Sequence, residues 1–237
     1  MALCETIERL FGRWECVKSQ APDDSTRLHS RVPIVTVSSM TGSRGLEFGK
    51  LLSQRLDYEY LTIDHIGLFA EGSEYIDRMS SLLDSRFKSS LPELVESMEI
   101  DFSDQANHMK HHCKIVLCLA ELGGVVLADW AANYILGPEC GLHIRVFCPN
   151  SIRARNVATE SGLPLNDARK LLRESHNEGY AFLLKQLRYD VWDETQYDVL
   201  LNSGYMDFER MVDIAVAASE AKATSISERR VKFLASN

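Results

Sequence analysis

The chain has 237 residues, enough for one well-buried α/β domain with an appendage. Its 26 basic and 34 acidic side chains give a net charge of −8, which argues against a protein that holds nucleic acid by neutralising many phosphates. With 45% hydrophobic and 25% charged residues, the composition is that of a globular protein and excludes a disordered or fibrous one.

The sequence gives no sign of a membrane or export segment. No apolar run approaches the ~18 residues that span a bilayer. The first residues lack the basic-then-apolar order of a signal peptide. We therefore expect a cytoplasmic protein with no membrane partner. The six cysteines lie far apart and form no C-x-x-C pair, so we expect reduced, mostly buried thiols.

Residues 1–31 are predicted to form an amphipathic helix and a linker. The apolar residues of this helix recur at spacings of three and four: Leu3, Ile7, Leu10, Phe11, Trp14 and Val17. The polar stretch from Ser19 to Arg31 then interrupts the pattern. The helix either packs on the main domain or mediates a homodimer or a contact with another protein.

From residue 32 to residue 222, short apolar runs alternate with helical patterns. The runs predict five strands, at 32–37, 58–63, 125–127, 142–147 and 197–202. The predicted helices lie at 46–56, at several places between 66 and 123, at 130–136, at 152–187 and at 208–221. Strands that alternate with helices favour a mostly parallel, doubly wound sheet. Residues 223–237 are predicted to be a loose tail.

The turn after the first predicted strand is the first place to look for a ligand, because open parallel sheets bind ligands at the carboxyl ends of their strands. This turn reads Thr41-Gly42-Ser43-Arg44-Gly45. Small residues that enter a helix point backbone N–H groups at one spot, and the helix dipole adds positive potential there. The turn predicts a phosphate site, although an ordinary strand-to-helix turn explains the pattern equally well.

A series of short motifs extends this signal along the chain. Residues 35–48 read V-T-V-S-S-M-T-G-S-R-G-L-E-F, and residues 56–64 and 125–136 contain two further strand motifs. The carboxyl-terminal matches are Arg153, Gly162, Leu163, Ala168, Trp192, Asp193 and residues 197–202. In this order the motifs resemble the cytidylate kinase-like family of P-loop nucleoside monophosphate kinases. Its members read I-T-I-S-R-x-x-G-S-G-G-R-E-I, L-G-x-x-[FY]-Y-D and V-I-V-G-R-G-A-x-x-I-L at the first three places.

The resemblance implies a three-layer P-loop domain at 32–222, with about five strands, a helical insertion and a helical lid at about 152–188. It implies transfer of a phosphoryl group from ATP, with Mg²⁺, to CMP, dCMP or a related nucleotide. The turn would hold phosphates, and Asp64 and Asp129 would lie near the acceptor. The basic residues expected to act in catalysis or in the lid are Arg44, Arg153, Arg155, Arg169, Lys170 and Arg173.

Several cations of the family are replaced in this chain. Leu46 stands where an arginine follows the glycines, Ser39 where one precedes the turn, and Asn156 at the second lid arginine. Residues 128–129 read Ala-Asp where the family has Gly-Arg. Because phosphoryl transfer depends on neutralising spread negative charge, the alternative is a weak or inactive pseudokinase that acts as a regulatory or interaction module. Arg44 or Arg155 could restore one charge.

Other candidate residues have simpler explanations. Asp64 and Asp129 would serve equally well as helix caps, and the basic residues at 169–173 would also suit a solvated helix face. His108 and His112 have a spacing that could ligate a divalent metal. No carboxylate completes an H-E-x-x-H pattern, so we predict a solvated face there and no metal site.

Overall fold

The structure is a computed structural model that describes residues 33–62, 64–65, 104–128, 131–174, 190 and 192–235. Near the amino terminus it describes Glu5, Thr6, Glu8, Arg9, Gly12 and Cys16, all helical. The apolar residues that predict the first helix, the helices expected between 66 and 103, the lid beyond 174 and Asp129 lie outside the described residues.

Five parallel strands form one sheet in the described part of the chain, which confirms the predicted architecture. They are β1 (Val35–Ser39), β2 (Glu59–Thr62), β3 (Val125–Ala128), β4 (Leu142–Phe147) and β5 (Val199–Asn202), in the order β2-β3-β1-β4-β5. β1 begins later than predicted, and Pro33, which lacks an N–H for the ladder, precedes it. The central strand β1 carries the turn of interest at its carboxyl end.

Helices connect and cover these strands. They are α1 (Gly45–Leu56), α2 (Asp104–Leu122), α3 (Ala132–Leu136), α4 (Asn150–Ser161), α5 (165–174) and α6 (Phe208–Ala235), with a 3₁₀ turn at Glu194–Gln196. Gly162, whose φ of 66° is left-handed, caps the carboxyl end of α4. Buried alanine, valine and leucine side chains of α4 and α5 pack together, so the described part of the predicted lid is a helical pair.

The two faces of the sheet differ in polarity. On one face, apolar strand residues pack against Phe48 and Leu52 of α1 and Met211 of α6. The alternate positions of β1 and β4 are polar yet buried, namely Thr36, Ser38, His143 and Arg145. An apolar face stabilises by removing surface from water, whereas a buried polar face needs hydrogen-bond partners. The polar face is therefore built from specific contacts.

The last helix is longer than expected. α6 continues to Ala235, where the sequence predicts a loose tail after residue 222. No glycine or proline interrupts residues 208–235, and alanine, glutamate, lysine and arginine favour helix, so local propensity carries the helix on. None of the described helices is both long enough and apolar enough to cross a membrane.

Candidate phosphate-binding site

A tight turn connects β1 to α1 at the carboxyl edge of the sheet. The Ser43 N–H donates to the Met40 carbonyl over 2.9 Å and closes the turn. The Ser43 hydroxyl, which is fully buried, donates to the same carbonyl over 2.6 Å. The Met40 N–H donates to the Val146 carbonyl of β4 over 3.3 Å, which ties the turn to the sheet. Hydrogen bonds within the turn and to β4 thus fix its backbone.

Two glycines are required by this geometry. Gly42 has a φ of +76°, and a Cβ there would lie 2.7 Å from the Arg153 carbonyl oxygen. At Gly45 an added Cβ would overlap the side chain of Ser39. Both positions therefore exclude other residues, one by conformation and close approach, the other by close approach alone.

The backbone angles of the turn alternate in sign. Gly42 and Arg44 have positive φ values of 76° and 60°, whereas Ser43 and Gly45 do not. Alternation of this kind is typical of nests, in which successive N–H groups bind an anion. Within the described residues, the amides of Thr41, Gly42, Arg44 and Gly45 donate to no protein acceptor.

The carbonyls of the same turn are all held. Four consecutive carbonyls each accept a side-chain hydrogen bond: Met40 from Ser43 Oγ, Thr41 from Arg153 Nε at 2.7 Å, Gly42 from Asn156 Nδ2 at 2.8 Å, and Ser43 from Ser203 Oγ at 2.7 Å. Side chains from α4 and from the loop after β5 supply three of these donors. Each of these carbonyls therefore has a hydrogen-bond donor, whereas four amides of the turn have no acceptor among the described residues.

Arg153 is a buried cation at this turn. Its side chain donates to the Thr41 carbonyl and, over 3.0 Å, to Asn150 Oδ1, and the residue is 4% exposed. Burial lowers the pKa of the Arg153 guanidinium, and nearby Arg145 lowers it further, while Cys148 acts in the opposite direction. No carboxylate of the described chain lies within ion-pair distance of Arg153.

Arg44, which is predicted from the sequence to bind phosphate, lies in a different environment from Arg153. Its guanidinium forms two hydrogen bonds with the Glu47 carboxylate, at 2.7 and 2.8 Å, and lies 4.9 Å from the centre of the Phe208 ring. Both side chains of the ion pair are almost half exposed. The charge of Arg44 is therefore matched by a carboxylate, unlike that of Arg153.

The remaining predicted residues lie apart from these contacts. Arg155 is exposed on α4, and Arg169, Lys170 and Arg173 are exposed on α5. Lys170 lies 3.9 Å from Glu174. Asp64 is exposed just beyond the end of β2. The structure thus brings residues 41–45 together with Arg153, and within the described residues no hydrogen bond or ion pair joins the others to the turn.

Sequence reasoning missed three other side chains that hold the turn: Asn156, Ser203 and Cys148, whose Sγ donates to the Gly42 carbonyl over 3.7 Å. Asn156 is interpreted from the sequence only as a lost arginine, and Ser203 is not singled out. The position of Ser203 directly after a strand was a usable signal, because the carboxyl ends of parallel strands share one edge. The contact of Asn156 with Gly42 has no sequence signal, since it depends on the path of α4.

Comparison with known proteins identifies the family of the chain. Residues 34–205 match the model of the cytidylate kinase-like family. A search of curated proteins finds no match. Among solved structures, the chain is similar to an uncharacterized protein from Eubacterium ventriosum, with 12% identity, a TM-score of 0.59 and coverage of 79% of this chain and 98% of that one.

Two kinases also resemble the chain more loosely. Shikimate kinase from Acinetobacter baumannii, in complex with shikimate, has 14% identity and a TM-score of 0.44, with 81% of this chain and 94% of that one covered. A gluconokinase from Sinorhizobium meliloti has 13% identity and a TM-score of 0.42, with 86% and 98% covered. The family match spans most of the sequence and includes the turn, Arg153 and β5, and it confirms the predicted resemblance. The chain has a kinase-like nucleotide-binding fold and belongs to the cytidylate kinase-like family.

Proposed function

We propose that the turn at residues 41–45 binds a phosphate group of a nucleotide. One observation supports this proposal most strongly. Among the described residues, four amides of the turn have no acceptor, and the buried guanidinium of Arg153 beside the same turn has no carboxylate partner. A buried charge is costly unless it is balanced, and a phosphate that accepts from the amides would also offset the charge of Arg153 beside the same turn. Family membership makes a nucleotide the expected source of that phosphate.

ATP is the expected donor nucleotide, and CMP or dCMP the expected acceptor. Asp64 and Asp129 remain the proposed acceptor residues, and the exposed basic side chains of α5 are proposed to approach the phosphates when the lid closes. Arg155 is proposed to act with them in phosphoryl transfer. A cytoplasmic location and contacts of the amino-terminal helix with a second copy or another protein stay predictions.

Mg²⁺ fits this turn poorly. The metal prefers oxygen ligands in octahedral geometry. Position 46, where a P-loop places its metal-binding hydroxyl, is a leucine, and the preceding lysine position is Gly45. The Ser43 hydroxyl is fully buried and points at the Met40 carbonyl, and Glu47 is paired with Arg44. Among the described residues of the turn, only the Thr41 hydroxyl is left, so we derive no step through Mg²⁺.

These contacts favour a second candidate function, a pseudokinase that binds a nucleotide and transfers no phosphate. Transfer needs cations placed at the developing charge, and an arginine finger alone contributes ~10³ to 10⁵ in rate. Here Arg44 is neutralised by Glu47 and Arg153 is bound to a backbone carbonyl. Binding requires less charge than transfer, so loss of catalysis is compatible with a working phosphate site.

Calorimetry and thermal unfolding with ATP, CMP and dCMP, each with and without Mg²⁺, test both functions. A nucleotide at 100 times its Kd should stabilise the protein by ~2.7 kcal/mol. A coupled assay for ADP then separates the two: production of ADP that depends on CMP supports the kinase, and binding without turnover supports the pseudokinase. Absence of any shift with all three nucleotides would reject the phosphate site.

A further inference from the structure

The four held carbonyls control four specific amides. A trans peptide is planar, so the carbonyl of one residue and the N–H of the next point in opposite directions and turn together. The described chain contains no cis peptide bond. A hydrogen bond to the Ser43 carbonyl therefore fixes the Arg44 N–H, and one to the Gly42 carbonyl fixes the Ser43 N–H.

Ser203 and Asn156 fix two different amides, and only one of these has an acceptor among the described residues. Ser203 holds the Ser43 carbonyl and so controls the Arg44 N–H, which has no acceptor among the described residues. Asn156 holds the Gly42 carbonyl and so controls the Ser43 N–H, which already donates to Met40. One contact therefore directs an amide available to a ligand, and the other supports the closed part of the turn.

Ser203 is well placed to act as a fixed support. Its own N–H donates to the Phe147 carbonyl over 2.9 Å, and the Gly204 N–H donates to Asn202 Oδ1 over 3.0 Å. The Ser203 hydroxyl has one proton and lies nearer to Ser43 O, at 2.7 Å, than to Phe147 O, at 3.3 Å. It therefore donates to Ser43 and anchors the turn to the sheet.

The peptide bond between residues 43 and 44, which Ser203 holds, adjoins a strained backbone conformation. Arg44 is in the left-handed region, with φ 60° and ψ 30°, which is unfavourable for a residue with a Cβ. Rotation of the peptide between residues 43 and 44 would relieve this strain and turn the Arg44 N–H away. A hydrogen bond of ordinary strength is similar in size to such strain, so we expect loss of the Ser203 hydroxyl to free the peptide.

We propose that Ser203 is a positioning residue of the phosphate site, whose hydroxyl holds the Arg44 amide in the orientation that binds the anion. This inference rests on the proposed nucleotide-binding function. Ser203 itself touches no phosphate in this proposal, so it acts only through the backbone of the turn. Its contribution should therefore be restored by any side chain that returns the hydroxyl.

The test measures the Kd of the full chain for ATP by calorimetry in three variants. For Ser203→Ala we expect the Kd to rise about fivefold to tenfold, because an oriented donor to a charged group is lost. Ser203→Thr keeps the hydroxyl and should stay within twofold of the parent. Asn156→Ala is the control: it also loses one hydrogen bond to the turn, while Cys148 Sγ still donates to the Gly42 carbonyl, and it should change the Kd by less than twofold.

Equal losses in Ser203→Ala and Asn156→Ala, or an unchanged Kd in Ser203→Ala, would overturn the inference and leave the proposed function standing. Failure of the parent protein to bind ATP or inorganic phosphate would instead reject both. Amide NMR of the parent gives a readout that needs no variant to fold. On addition of ATP the Arg44 amide proton should shift strongly downfield and that of Ser43 only slightly, and the reverse order would overturn the assignment.

Discussion

Two of the buried polar clusters in the described part of this domain differ in how their charges are balanced. In the first, the His143 network, the His143 ring lies between the Thr36 hydroxyl, 2.8 Å from Nδ1, and the Gly137 carbonyl, 2.9 Å from Nε2. The Gly137 carbonyl only accepts, so Nε2 carries the proton and Nδ1 accepts from Thr36. The backbone N–H of His143 donates to Asp198, which also pairs with Lys222.

In the second cluster, around Arg153, the described residues that bond to the guanidinium supply neutral oxygens alone. The His143 network is balanced within the chain, because its carboxylate has a cation and its imidazole is neutral. The Arg153 cluster has a positive charge beside turn amides that donate to no acceptor among the described residues. We infer from this difference that the first cluster serves stability and the second serves binding, since buried charges are retained where a partner balances them.

Substitution of the central charge in each cluster should give the largest contrast. For Arg153→Met we expect ATP affinity to fall at least tenfold, which corresponds to about 1.4 kcal/mol, because the balancing charge for phosphate is removed. Asp198→Asn should lower the Tm and change ATP affinity by less than twofold, since it disrupts only the internal pair. Calorimetry and thermal unfolding of both variants check this contrast.

Arg153→Lys is the matched control for charge. It keeps the cation and loses the planar donor geometry, so we expect an affinity between those of the parent and Arg153→Met. Affinity losses of the same size in Arg153→Met and Asp198→Asn would contradict the division between a binding cluster and a structural one, because both would then act through stability.

The sequence predicts the scaffold of both clusters better than their contacts. The strands and the glycine turn follow from hydrophobic runs and small residues, and the five strands lie within two or three residues of their predicted places. The partner of each charge does not follow, because Glu47 and Asn156 reach the turn through helix geometry. Position 44 shows the limit: sequence reasoning assigns its arginine to phosphate, whereas the fold pairs it with Glu47.

The pH dependence of stability should follow the His143 network. Burial lowers the pKa of His143 below its ordinary value of 6.5; the Gly137 carbonyl and Asp198 raise it, and Lys222 lowers it. Below that ordinary value the unfolded chain binds the proton more readily than the folded one. The contribution of neutral His143 to the free energy of unfolding is therefore complete above about pH 6.5. It is lost as the pH falls through the folded pKa, by up to about 1.4 kcal/mol per pH unit.

Thermal unfolding from pH 8 to pH 5 measures this effect. His143→Gln keeps hydrogen-bonding groups and removes the titration, so the difference between parent and variant isolates His143 from the other histidines. A parent and a variant with the same pH dependence would contradict the assignment.

Backbone strain offers a comparison at two left-handed positions. Arg44 and Asp57 have φ values of 60° and 55° at the start and end of α1. Replacement by glycine should stabilise the protein by about 0.5–1 kcal/mol at each position, because glycine adopts this region freely. The exposed Arg44–Glu47 pair contributes little to offset the gain. Thermal unfolding of Arg44→Gly and Asp57→Gly should show a higher Tm for both.

Binding should separate these two glycine variants. ATP affinity in Asp57→Gly should equal that of the parent, because the end of α1 lies away from the turn along the chain. In Arg44→Gly we expect a loss of about twofold, since a nearby cation is removed even though a carboxylate neutralises it. A tenfold loss in Arg44→Gly would show that Arg44, rather than Arg153, supplies the main charge.

The smallest expected effect comes from releasing Arg44 from its carboxylate. Glu47→Gln removes the negative charge beside the turn, so ATP affinity should rise about twofold at low ionic strength, and salt should suppress the gain because the pair is exposed. Calorimetry at two salt concentrations measures the change. The double variant Arg44→Ala/Glu47→Gln is the control. If the gain persists there, it comes from loss of repulsion by Glu47; if it disappears, the freed guanidinium reaches the phosphate and Arg44 differs from Arg153 only through its partner.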